Sequence, residues 1–320
     1  MILTTPLFAE LKKLYPSSQL TVLCSEINKA IALNDKSIDR VLIYKKNVIY
    51  DFFSLRKNLR RVDLWIDPKD SFSKTSLLLL KLFKPKLSIG FNCEKEIYSI
   101  DLKNYKTGNH AVDLSLSPVN YLSENKELNR IPVLEIPKAA GDKVRKSMKF
   151  DKANRRVLVN ISAGNESRYI SKDEWLRAIK LIYKFQKSQF VITGMSKDLL
   201  IINLLIKNAT GIEMYYHQTK NIFELAELIR LCDIVISPDT SVIHICSAFN
   251  TPVIGMYPDV KWNLDKFAPL SEYNEVIVSD SKESLISITG DQIFEKFQLM
   301  DQKIAGGNAE SRTRVRKEDH

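Results

Sequence analysis

Apolar residues Leu7, Phe8, Leu11 and Leu14 recur at helical spacing behind Thr5 and Pro6, and Pro16 ends the run, so the chain is predicted to open on a helix. Short β-rich runs follow at 20–24 and 38–44, and residues 50–61 return to helical spacing with Arg56, Lys57, Arg60 and Arg61 interleaved. Residues 62–67 read as a strand, 73–83 as a helix and 86–91 as a further strand. Strands and helices alternating at this interval imply a parallel sheet covered on both faces.

The pattern changes over 130–156. Residues 131–137 read as extended, and from 138 to 156 eight lysines or arginines stand against two aspartates. A domain boundary is placed near 150. The alternation then restarts, with strands at 157–161, 190–193, 233–237 and 253–257, and helices at 172–186, from 197, at 222–232 and at about 242–249. Ser171 followed by Glu174 is a capping box for the first of these helices. An amphipathic helix is expected over 284–300, weakened by Gly290. Residues 306–320 have almost nothing apolar to bury and read as disordered. The expected organisation is two α/β domains, 1–150 and 151–300, and a tail over 301–320.

The length of 320 residues suits two domains, and 44% hydrophobic residues supply a core for each. Lysines break apolar runs such as 76–80 well short of the ~18–20 residues needed to span a bilayer. The first residues carry no secretory signal, so the chain reads as soluble and cytoplasmic. The four cysteines form no C-x-x-C pair, and three of them lie in apolar surroundings that suggest buried reduced thiols; the four histidines show no ligand spacing, so no metal site is expected. The 10 glycines include no G-x-G-x-x-G and no P-loop motif, so any phosphate site is built without a glycine-rich loop.

Residues 236–252, ISPDTSVIHICSAFNTP, run from an apolar strand directly into a helix. Asp239, Thr240 and Ser241 are thereby placed at the carboxyl edge of a sheet and at a helix N-terminus. Backbone N–H groups, the helix dipole and two hydroxyls can hold a diphosphate there. The same spacing also suits a plain helix cap at Asp239 or Thr240.

The segment Asp239-Thr240-x-x-x-His244, its helix and Pro252-Val253-Ile254-Gly255-Met256-Tyr257 resemble glycosyltransferase family 9, as do residues 4–16, 62–67 and 71–80. These are the heptosyltransferases that move heptose from ADP-heptose to the inner core of bacterial lipopolysaccharide. The resemblance covers most of 1–280. It implies a GT-B fold, with two Rossmann-like domains whose parallel sheets face across a cleft, and an inverting, metal-independent transfer with no cofactor. In that family the second domain holds most of the nucleotide-sugar.

Carried over by position, Asp239, Thr240 and Ser241 match the family's diphosphate-facing segment, with Ser241 in place of its glycine. Ser162 and Arg168 fall in the loop where relatives place hydroxyls and a lysine near phosphate; Arg168 stands one position later as the substitute cation. Asp198 is the ribose candidate, although its charge also suits the first turn of a helix. Lys220 and Asn221 align with residues lining the adenine pocket. His244 is expected to brace the Asp239 loop by a hydrogen bond, and Lys74 to contact acceptor carboxylates or phosphates.

In the family a strand and a Gly-Asp turn precede the first helix, and that aspartate is the proposed general base. Met1 stands where the residue after it would be, so the first domain is expected to be N-terminally incomplete. Asp63 and Asp67 border the same expected cleft, but no spacing assigns the role to either, and no catalytic base is named.

The net charge of +10, from 48 basic and 38 acidic residues, is partly a lysine-rich composition. The functional reading is that Lys45, Lys46, Arg56, Lys57, Arg60 and Arg61 face a lipid A-core acceptor glycolipid and the anionic inner leaflet, placing the protein peripherally on the cytoplasmic side of the inner membrane. No nucleic-acid-binding signature is present. The competing readings are a GT-B transferase or epimerase using another nucleotide-sugar, and an inactive, truncated nucleotide-binding remnant.

Overall fold

The computed structural model describes residues 1–45, 55–57, 59, 61–93, 95–123, 127–151 and 153–318. Lys46, Arg60, His320 and most of the helix expected at 50–61 lie outside these residues. The chain divides into Met1–Glu135 and Ile136–His320.

In the first unit, helix α1 (Thr5–Leu14) starts with Pro6 in its first turn, as its sequence requires. Strands β1 (Thr21–Cys24) and β2 (Arg40–Ile43) pair in parallel, followed by a parallel sheet of β3 (Leu64–Asp67), β4 (Leu87–Gly90) and β5 (Ile100–Asp101). Helices α2 (Lys29–Leu33), α3 (Lys74–Phe83) and α4 (Ala111–Leu122) complete the unit. Leu7, Phe8 and Leu11 of α1 pack on Val22, Cys24 and Val119, and Ile66 of β3 joins the same cluster. The two sheets therefore share a core, although no ladder joins β1 to β3 among the described residues.

The second unit holds one six-stranded parallel sheet made of β6 (Arg155–Asn160), β7 (Ser188–Thr193), β8 (Met214–Tyr216), β9 (Ile234–Pro238), β10 (Val253–Tyr257) and β11 (Asn274–Val278). Its helices are α5 (Lys138–Ser147), α6 (Lys172–Phe185), α7 (Leu199–Asn208), α8 (Ile222–Leu231), α9 (Ser241–Phe249), α10 (Lys261–Phe267) and α11 (Gly290–Glu318). The strand order is β11-β10-β9-β6-β7-β8. Counted from β6 this is 3-2-1-4-5-6, the doubly wound order whose direction reverses between β6 and β9. The central strands are buried on both faces, so they read as continuous apolar runs such as Val157-Leu158-Val159.

Three sequence expectations are corrected. The division falls at 135/136 instead of 150, because the basic segment after 138 is helix α5, held on α8 by Lys143–Glu224 at 2.5 Å and by Arg145–Glu227. The tail expected from 301 onward continues helix α11 to Glu318; Asp301 pairs with Arg155, and Lys303 reaches Glu275 at 2.5 Å. Gly290 is no flaw in that helix. A Cβ there would lie 2.6 Å from the Glu174 carbonyl oxygen and 2.8 Å from the Ala178 nitrogen, so the glycine is what lets α11 cross closely over α6.

Candidate functional site

The reversal of strand order leaves a crevice outside the carboxyl ends of β6 and β9, and helix α9 begins there. Thr240 is its N-cap, with Oγ1 accepting from the Val242 N–H at 3.3 Å. Ser241, the first helical residue, is exposed. Asn160 ends β6 and crosses to the neighbouring strand: its Nδ2 donates to Ser237 Oγ at 2.9 Å and to Thr240 Oγ1 at 3.4 Å. The first turn of α9 thus presents its positive end at the open edge of the sheet, held in register by a side chain from the other half of the fold.

Asp239 does not cap this helix. It is 4% exposed, and its carboxylate takes the Arg168 guanidinium at 3.0 Å and the Asn263 side-chain amide at 2.8 Å. Arg168 Nη1 also donates to the Asp239 carbonyl at 2.8 Å. Burial raises the Asp239 carboxyl above its ordinary range, against the pull of Asn263 and Arg168. The substitute cation is therefore committed to holding the Asp239 turn, and its charge reaches the helix terminus from that position. Asn263 thus braces the Asp239 carboxylate, and the His244 ring lies with its centroid 5.9 Å from that of Phe267.

The ribose candidate Asp198 follows the end of β7. Asp198 is 2% exposed; it accepts from Ser162 Oγ, from the Met195 N–H at 3.0 Å and from Tyr169 OH at 2.8 Å. This carboxylate organises the turn between β7 and α7, and Ser162 serves it. Lys197 is exposed beside it, with its ammonium 5.1 Å from the Tyr169 ring centroid. Lys220 lies between β8 and α8, where its N–H donates to Glu224 at 2.9 Å, and Asn221 caps α8.

In the first unit, Lys74 is exposed in the first turn of α3, next to its cap Ser73. Asp67 accepts from Ser76 Oγ and from Tyr98 OH at 2.8 Å, and Asp63 pairs with Lys86 at 2.9 Å. Both carboxylates weighed in the sequence have protein partners. Among the described residues no group of three or more His, Cys, Asp or Glu is placed to hold a metal ion.

The model of Glycosyltransferase family 9 (heptosyltransferase) matches residues 52–296. The chain belongs to that family. "Putative lipopolysaccharide heptosyltransferase 4" of Escherichia coli (strain K12) is 24% identical over 252 residues, 75% of this chain and 66% of the relative, so the match spans slightly less than two thirds of that protein. The solved glycosyl transferase family 9 structure from Veillonella parvula DSM 2008 superposes with a TM-score of 0.78 at 16% identity, covering 93% of this chain and 92% of that one. The E. coli heptosyltransferase WaaC with ADP-2-deoxy-2-fluoro heptose gives 0.68 at 14%, covering 94% and 95%. The fold of this family 9 chain is GT-B, with parallel α/β sheets in each unit.

Two residues that hold the turn before α9 carry little signal in the sequence. Asn160 had one: a polar residue ending an apolar strand at the start of a polar loop. Asn263 had none, because its bond to Asp239 spans 24 positions and two strand ends.

Proposed function

We propose that this family 9 protein is an inverting, metal-independent glycosyltransferase that moves heptose from ADP-heptose to a lipid A-core acceptor. The observation that carries the reading is the open α9 terminus at the crevice. Thr240 and Ser241 are there to meet a diphosphate, and the Arg168–Asp239 pair fixes the turn. As the sugar leaves, negative charge grows on the diphosphate, and oriented N–H groups with a nearby guanidinium stabilise that charge without reorganising. Metal independence rests on the family and on the absence of a D-x-D sequence. The fold shared with a heptosyltransferase solved with an ADP-heptose analogue supports the donor.

On the acceptor side, Lys74 is available for acidic groups. Lys45, Arg56, Lys57 and Arg61 are exposed basic residues of the same unit and support attachment to an anionic inner leaflet. No helix among the described residues is long and apolar enough to cross a membrane. Calorimetry with ADP and UDP tests the donor: ADP bound and UDP weak is expected, whereas UDP bound without ADP overturns the assignment. The Asp239→Ala/Thr240→Ala double variant, checked for folding by circular dichroism, should lose diphosphate affinity. Unchanged affinity would return that turn to a helix cap.

A further inference from the structure

A cavity of about 280 Å³ opens where the chain enters the second unit, at the meeting of α5 with the C-terminal ends of α8 and α9. Helix α9 begins at the crevice with Ser241 and reaches this cavity with Phe249, ~12 Å further along its axis. The cavity therefore lies toward the amino ends of the strands, and no residue assigned to the nucleotide lines it.

Its wall carries three cations, Lys138 and Arg145 of α5 and Arg230 of α8, against one carboxylate, Glu227. Glu227 is 1% exposed; its Oε1 takes Arg145 Nη1 and, at 2.9 Å, Arg230 Nη2, while Oε2 takes Arg230 Nε at 3.0 Å. Two N–H···O bonds of about 3 Å to one oxygen keep the two guanidinium nitrogens within ~6 Å of each other, close enough for one phosphoryl group to bridge them. Asp142 takes a second N–H of Arg145 at 2.7 Å. Each guanidinium has five N–H groups and spends two on carboxylates, so both keep donors at their exposed sides. Lys138 is exposed, and among the described residues nothing accepts from its ammonium.

Against Glu227 and Asp142 the three cations leave one positive charge in excess. The first turn of α5 adds the positive end of its dipole, because the N-cap, Pro137, supplies no side-chain cap. The free donors sit on three separate side chains, which suits the three oxygens of a phosphoryl group better than the two coplanar oxygens of a carboxylate. Ile136 and Phe249 give the wall an apolar part.

We infer that this cavity is a second anion site, for a small phosphate monoester whose organic part rests on Ile136 and Phe249. The ester joins α5 to α8 and is held independently of the donor crevice. A buried carboxylate already fixes both arginines, so they lose little freedom when the ligand arrives.

The test is calorimetry on the full chain with ADP saturating the crevice and with phenyl phosphate, inorganic phosphate and benzoate as probes, alongside thermal melts of every variant. Phenyl phosphate is expected to bind, with inorganic phosphate about fivefold weaker for want of the ring and benzoate weaker than phenyl phosphate. Lys138→Met, which removes no contact within the protein, should weaken phenyl phosphate about fivefold, and Arg230→Met about tenfold. The Asp239→Ala/Thr240→Ala double variant should bind it as the wild type does. No binding to the wild type, or unchanged affinity in both Lys138→Met and Arg230→Met, overturns the inference. Loss of binding in a folded double variant also overturns it, by placing the probe in the crevice. Benzoate bound as tightly as phenyl phosphate overturns the phosphoryl assignment. Vesicles bearing phosphatidic acid separate a lipid headgroup from a soluble ester: displacement of the wild type from them by phenyl phosphate assigns the headgroup, and no binding, or binding that phenyl phosphate leaves intact, assigns the soluble ester. Should Arg230→Met not fold, the exposed Lys138 position still decides the matter.

Discussion

At the scale of single residues, the pair Arg168–Asp239 shows how a role is reassigned by contact. Spacing left Asp239 and Thr240 as equal choices for the helix cap. The structure gives the cap to Thr240, because a buried carboxylate bound to a guanidinium and to Asn263 is not free to turn toward the first N–H groups of α9. Replacing Arg168 by Met removes a countercharge from a carboxyl that burial already raises. A carboxyl raised in the native state favours folding while protonated, so stability falls as pH climbs from its ordinary value of 3.8 through the raised one. The Arg168→Met deficit should be about 1–3 kcal/mol at pH 7, discounted because Arg168 is one-third exposed, and smaller at pH 4. Urea unfolding at both pH values checks this, and equal deficits would show that the pair carries no net charge stabilisation. Thr240→Val should cost about 1 kcal/mol of stability in the same measurement, from the lost cap.

At the scale of elements, what periodicity revealed and what it missed divide by the number of partners involved. Helices such as α6, with one apolar stripe and a Ser171 cap, were legible because each signal lies within the element. Helix α4 was not, since Pro118 and three serines or asparagines obscure its pattern, and its register is set by packing, with Ser115 Oγ donating to the Leu3 carbonyl at 3.1 Å. Gly290 looked like a weakness because the sequence shows one helix at a time, whereas its reason is the backbone of another. Gly290→Ala should destabilise the protein by about 2 kcal/mol through overpacking against Glu174 and Ala178, read from urea midpoints. No loss would mean that α11 can lift from α6 freely.

The tie between α5 and α8 makes a second prediction at this scale. Burial alone would raise the Glu224 carboxyl, but donation from Lys143 and from the Lys220 N–H holds it below its ordinary 4.5. A lowered carboxyl stabilises the fold above its ordinary value, and that stability is lost as pH falls through the native one. Lys143→Met should therefore cost about 1 kcal/mol at neutral pH, at the low end because Lys143 is half-exposed, with the deficit shrinking below pH 4.5. A deficit independent of pH would show that the lysine contributes by packing alone.

At the scale of the whole molecule, all the residues assigned to the nucleotide lie in Ile136–His320, which has its own sheet and its own buried core. That unit expressed alone should fold cooperatively and bind ADP within about threefold of the full chain by calorimetry. A much weaker affinity would mean that the first unit contributes to the nucleotide site. The amino-acid sequence by itself determined the α/β class, the two-unit organisation, the helix terminus at Thr240 and the family. Each of these is written in short-range order, as apolar period, cap or local motif. Tertiary structure alone decided the strand order and hence the crevice between β6 and β9, the burial of Asp198, the commitment of Arg168 to Asp239 and the boundary at 135/136. These depend on which strand ends become neighbours, and residues 24 to 80 positions apart come into hydrogen-bond contact only once the sheet has assembled.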